Sequence, residues 1–197
     1  YSDNKKSIEV NFLNYENNEY SAIVVICNNR SGILKDIVQG LSFSQINILG
    51  SRVISLNNND VIDVFWVCNS AQKALKEKNE QNRLVQNLIA SVEGLEIEVV
   101  SDLLNIKSKL EVLPKITVDN KMSKNVTTYQ ILSGDRKGLL MDILNIFHKN
   151  HVSVQSAKIS TYGEKIFDTF QITDIKNKKI KDANLIKSLE KQLIKIL

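Results

Sequence analysis

Two short polar turns hold the residues best suited to chemistry. Asn28-Asn29-Arg30-Ser31-Gly32 and Gly134-Asp135-Arg136-Lys137-Gly138 each follow an apolar stretch and precede an amphipathic one, and the second lies 106 residues after the first. A helix that begins just past such a turn presents backbone N–H groups without internal partners, and its dipole favours negative charge there. Gly32 and Gly138 let a ligand approach the backbone closely. A carboxylate, such as that of an amino acid, suits the position. Asn47, past the far end of the first helix, is expected near the same loop, where its amide can both donate and accept. The plainer reading is a strand-to-helix turn with a solvated arginine.

Other residues carry weaker signals. His148 and His151 are spaced i, i+3 without an evident third ligand for a metal. Asp63 and Asp168 recur at equivalent places, 105 positions apart; they read as local caps of a neighbouring turn rather than an acid–base pair. No G-x-x-x-x-G-K-[ST] or G-x-S-x-G motif occurs, so the chain is not expected to be catalytic. Cys27 and Cys68 sit on apolar strands and read as buried free thiols.

The elements around the turns repeat as well. In the first copy, strands over 20–27, 46–56 and 61–68 flank a helix whose stripe is Ile33, Leu34, Ile37, Val38 and Leu41. A second helix is predicted over 72–92. The second copy has strands over 126–133, 152–161 and 166–173, with the stripe Leu139, Leu140, Ile143, Leu144 and Phe147. Asp182 is placed to cap a last helix. Residues 95–110 fit a helix better than a strand, and Pro114 ends it. Each repeat thus reads β-α-β-β-α, and the strand at Ile116 and Val118 is expected to close the first in ferredoxin-like order. Ile8, Val10 and Phe12 alternate as a spare strand, expected to pair into the second repeat's sheet and interlock the two. Ile23, Val25, Phe65 and Val67, like Tyr129, Ile131, Phe170 and Ile172, are assigned to the helix-covered face. The opposite face of the first copy (Val24, Val64 and Trp66 among others) is far more apolar than that of the second (Gln130, Thr169, Gln171). It is expected to be covered by a partner chain, by an upstream enzyme or by residues 95–113.

With 197 residues and 43% apolar composition, the chain can fill a core. A net charge of +4, without a basic stripe interleaved with aromatics, argues against nucleic acid. No run of 18 apolar residues argues for a membrane span. The start at Tyr1 reads as that of a fragment.

GDRKGLLMDIL (134–144) with VQSAKISTYGEKIFDTFQITD (154–174) resembles an ACT domain; NNRSGILKDIV with INILGSRVISL and DVIDVFWV resembles another. The pair is similar to the C-terminal regulatory end of bifunctional uridylyltransferase/uridylyl-removing enzymes, which modify PII-type signal proteins. PKITVDN (114–120) and STYGE (160–164) carry the resemblance most specifically. It implies an α+β fold of two tandem ferredoxin-like (βαββαβ) domains, antiparallel sheets with helices on one face. The first is placed at 20–119 and the second at 120–197, after an N-terminal strand and loop at 1–19. The implied ligand contacts are Asn28, Asn29, Arg30, Gly32, Ile33, Asn47 and Ile48, and Asp135, Arg136, Gly138, Leu139 and Ser153.

The implied role is a cytoplasmic sensor of an amino acid, with glutamine first, attached to upstream catalytic domains that act on a PII-type protein. It would carry no cofactor of its own, Mg belonging to the catalytic part; a homodimer is possible. The family's turn is Asp-Arg-Pro-Gly, whereas here Asn29 and Ser31 replace the acid and the proline in copy one and Lys137 the proline in copy two. Copy one keeps the family's asparagine at Asn47, where copy two has Ser153. Which copy binds is therefore open. A free-standing binding module and an RRM-type RNA-binding protein are the rival readings; strand one of copy one lacks the aromatics the latter needs.

Overall fold

The computed structural model describes residues 8–14, 18–56, 59–95 and 112–197. In chain order the elements are β1 (Ile8–Asn14), β2 (Ser21–Asn28), α1 (Ile33–Phe43), β3 (Asn47–Ser55), β4 (Asp60–Cys68) and α2 (Lys78–Val92). Then follow β5 (Lys115–Asp119), β6 (Thr127–Gly134), α3 (Leu139–Lys149), β7 (Val152–Tyr162), β8 (Lys165–Asp174) and α4 (Ala183–Ile194). All eight strands form one antiparallel sheet in the order β1-β2-β4-β3-β7-β8-β6-β5. The two repeats meet side by side at β3 and β7, which pair from Gly50↔Ser160 to Ile54↔Ser156. That pairing removes an exposed edge from each half.

Alternation along the strands sets the layers. Ile23, Val25, Phe65 and Val67, and their counterparts Tyr129, Ile131, Phe170 and Ile172, are fully buried beneath the helices. Phe147 of α3 meets the rings of Tyr129 and Phe170 edge-on, with centroids 6.0 and 5.4 Å away, the arrangement aromatic quadrupoles favour. On the other face Gln130 and Gln171 are exposed and Val24, Val64 and Thr169 half-buried, so the two faces are as the sequence assigned them. Trp66 there is 38% exposed. Of the segment expected to cover that face, residues 96–111 lie outside the described residues, as does most of the helix expected over 95–110.

Two strand assignments from sequence are corrected. β1 does not join the second half: it pairs with β2, from Ile8↔Cys27 to Asn14↔Ser21, which packs Val10 and Phe12 against the core. β5 does not close the first half either: it pairs with β6, from Lys115↔Leu132 to Asp119↔Thr128. In both halves the fourth strand leads as a hairpin instead of following as a crossover, giving ββαββα. Short connections between sequential strands outcompete long returns.

The second helix also starts later than expected, at Lys78 rather than Gln72. Asn69 holds the intervening segment out of the helix: its Oδ1 accepts from the N–H groups of Ala71 (3.1 Å) and Lys73 (3.0 Å), and Gln72 adopts φ +59°. Such side-chain bonds compete with helical ones. Asp182 caps α4 as expected, accepting from the Asn184 N–H at 2.8 Å.

Candidate ligand site

The two turns are built alike. Gly32 (φ +82°) and Gly138 (φ +80°) are the left-handed residues from which α1 and α3 begin. Each turn is tied to its own β-hairpin, Asn29 N–H to Asn59 O at 2.7 Å and Asp135 N–H to Glu164 O at 2.8 Å. The first i→i−4 bonds run from Asp36 to Gly32 and from Asp142 to Gly138, both 3.0 Å. The amides just before them, those of Leu140 and Met141 in α3, form the positive end of the helix.

Both arginines are tied down by ion pairs and carbonyls, Arg30 while still exposed. Arg136 Nη2 sits 2.6 Å from Asp142 Oδ2 and donates to Ile196 O at 3.0 Å. Arg30 Nη2 sits 2.7 Å from Asp36 Oδ2 and donates to Val92 O at 2.6 Å. Each guanidinium clamps the first turn of one helix to the carbonyl end of the next, where cations are favoured.

Each turn faces a cleft walled by the other half. The cleft at the second turn has a volume of about 400 Å³ and is lined by Asp135–Met141, by Val38, Ser42 and Gln45–Leu49 of the first half, and by Gln72 and Asp168. The cleft at the first turn has about 20 Å³ and is lined by Arg30, Gly32–Lys35, Leu144, Phe147, His148 and Val152–Val154, space for about one water. Apart from Phe147, every residue lining the closed cleft has its counterpart 106 positions away in the lining of the open one. At one matched position Ser42 faces the open cleft and His148 the closed one. A Cβ at Gly32 would lie 2.9 Å from His148 Nδ1, whereas one at Gly138 would meet nothing within 4 Å.

This arrangement corrects the expected place of Asn47. It does not sit by the turn of its own half; β3 lies at the centre of the sheet, so its first residues face the turn of the other half. The acid of copy two and the amide of copy one, which the sequence shows as split between the repeats, line one cleft. Ile48, Arg136, Gly138 and Leu139 join them there, while Arg30, Gly32, Ile33 and Ser153 surround the closed cleft. Asn28 and Asn29 line neither: Asn28 Nδ2 donates to Asp60 Oδ1 at 3.3 Å, and Asn29 is held by the Asn59 backbone.

Sequence reasoning missed Ser42, Gln72 and Asp168 as cleft residues. Asp168 is 2% exposed and accepts from the Ser160 N–H at 3.1 Å, a bond to the neighbouring strand β7 rather than the cap of a turn. Burial, with a smaller push from the charge of Asp135, raises its pKa to about 7; burial also raises that of Asp135. The counterpart Asp63 is fully buried. Burial lifts it to about 7 against a smaller opposing pull from the Ile54 N–H. Among the described residues, His148 and His151 belong to no group of three or more side chains able to hold a metal, and no helix is long and apolar enough to cross a membrane.

Each half thus presents a glycine-started helix toward the junction of a shared sheet. Residues 115–197, beginning with β5, match the model of the family described as ACR9-like, ACT-like domain. Most of the chain is similar to the bifunctional uridylyltransferase/uridylyl-removing enzymes. It is 25% identical to that of Azospirillum brasilense over 182 residues, covering 89% of this chain and 20% of the relative. It is 28% identical to that of Novosphingobium aromaticivorans over 178 residues, covering 87% and 19%. A shorter stretch of 84 residues is 39% identical to the enzyme of Pseudomonas syringae pv. tomato, covering 43% and 9%. The chain spans about a fifth of the length of the curated relatives it matches over most of its own length. Among solved structures, the aspartate kinase of Synechocystis aligns over 90% of this chain and 27% of its own, with a TM-score of 0.48 and 15% identity.

Proposed function

We propose that the chain is the amino-acid-sensing module of a cytoplasmic PII uridylyltransferase/uridylyl-removing enzyme, that its ligand is glutamine, and that it acts in nitrogen control. The observation that carries this reading is the meeting of Asp135, the Gly138 turn and Asn47 in one open cleft built from both halves. The α3 N-terminus receives the ligand carboxylate. Asp135 and Asp168 attract its ammonium group, and binding a cation beside them favours their ionised forms. Asn47 and Gln72 offer both donors and acceptors to a side-chain amide.

A ligand held this way touches both halves at once. It therefore favours whichever arrangement of the β3–β7 junction closes on it, and differential affinity for two arrangements is all that allosteric regulation requires. The similarity to the uridylyltransferase/uridylyl-removing enzymes supports placing the regulated activity, its Mg and its PII-type partner in parts of a longer protein. Calorimetric titration with each of the twenty amino acids tests the reading. Saturable binding of glutamine, weakened by Asn47→Ala, is the expected result; an absence of binding by every amino acid overturns it.

A further inference from the structure

We propose that His148 sets how many ligands the chain takes up. Its imidazole fills a second cleft of the same class as the open one, so that one ligand binds rather than two. The inference rests on the reading of the open cleft as an amino-acid site.

The closed cleft is not ruined; it is filled. Its turn keeps the left-handed glycine, the hairpin anchor and the arginine clamp of the open one, with matching distances on Arg30 and Arg136. Its wall is assembled from the equivalent stretch of the opposite half, Val152–Val154 in place of Ile46–Ile48. What differs is volume, about 20 against 400 Å³. The side chain that reaches the glycine of the closed cleft is His148. Residue 148 lies in the last turn of α3 and its ring stands against Gly32, with Nδ1 and Cε1 at 2.9 and 3.1 Å from where a Cβ would be. Residue 42, at the matched place in α1, is a serine, and a Cβ on Gly138 would meet nothing within 4 Å. A ligand carboxylate approaching Gly32 would have to occupy the space of the imidazole. Close-packed atoms admit no such overlap. His148 is an exposed residue and not part of the buried core, so removing its ring opens the cleft without hollowing the core.

The experiment is a calorimetric titration of the twenty amino acids against the wild-type chain, His148→Ser, His148→Ala and the reciprocal Ser42→His. Circular dichroism checks that each variant keeps its fold; the Ala variant stands in should the Ser variant fail. Expected are one ligand per wild-type chain, two per His148 variant, and at least a tenfold loss of affinity in Ser42→His. Two ligands on the wild type, one on both folded His148 variants, or unchanged affinity in Ser42→His would each overturn this inference while leaving the open cleft an amino-acid site. If the wild type binds no amino acid, the proposed function falls. In that case a site gained in the His148 variants still supports the inference, and none gained overturns it.

Discussion

Arg52 of β3 and Lys158 of β7 stand directly opposite one another where the two halves join, and they occupy equivalent positions in the two repeats. Both are exposed, and among the described residues neither has a salt bridge. The residues facing Arg52 directly and diagonally on β4 are Val64, Ile62 and Trp66; those facing Lys158 on β8 are Thr169, Phe167 and Gln171. None is acidic. Like charges directly across a ladder weaken it, and opposite charges strengthen it. Lys158→Glu is expected to stabilise the chain by ~0.5–1 kcal/mol. Urea unfolding at low salt should show the gain, and it should shrink near 1 M salt as screening sets in.

The two arginine clamps differ in burial, and that ranks their contributions. The Arg30 side chain is 45% exposed and that of Arg136 19%. Arg136→Ala should cost about 1–2 kcal/mol, because a less solvated guanidinium loses both a carboxylate and a helix-end carbonyl. Arg30→Ala should cost under about 1 kcal/mol, as exposed pairs do. Equal costs by denaturant midpoint would show that burial does not set their strength.

The sequence makes the layers of this fold legible and leaves its connections hidden. Phe65 and Phe170 read as core because alternation with period two reports which face a strand residue takes. Alternation does not say which strand lies beside it, and so it leaves the half that β1 and β5 each join unspecified. The same blindness affects the site. The glycine turns are visible because positive φ favours one residue type, but Asn47 meets the other repeat's turn only because β3 and β7 share a ladder. Arg30 and Arg136 resemble ligand contacts because, beside Asp36 and Asp142, they hold the Val92 and Ile196 carbonyls, backbone atoms with no signature in residue types.

Asp63 gives the fold a pH dependence of known sign. Its folded pKa, about 7, lies above the ordinary 3.8. Between these values the folded chain holds a proton that the unfolded chain has lost, so stability falls as pH rises from about 4 to about 7 and levels off above. Asp168, also lifted to about 7, adds a slope of the same sign. Asp63→Asn keeps the shape and removes the ionisation. Relative to wild type it should gain on the order of 1–3 kcal/mol more at pH 8 than at pH 5. Thermal unfolding across that range measures it; equal effects at the two pH values would mean that Asp63 ionises freely in the folded chain.

The composite cleft makes a prediction that no single repeat could. Asp135→Asn and Gly138→Val lie in one half and Asn47→Ala in the other, yet all three should weaken ligand binding. The loss should reach tenfold or more, about 1.4 kcal/mol, for Gly138→Val, whose side chain enters the open space beside the turn. The valine also strains a φ of +80°, at a cost to stability of about 1 kcal/mol or more, so affinity must be compared on folded protein. Ser153→Ala and Asn29→Ala, at or beside the closed cleft, should leave affinity within about twofold, since neither residue lines the open one. A cleft confined to one repeat would instead group Asn47 with Asn29, and Ser153 with Asp135. Titration of the five variants therefore separates the two arrangements by which residues move together.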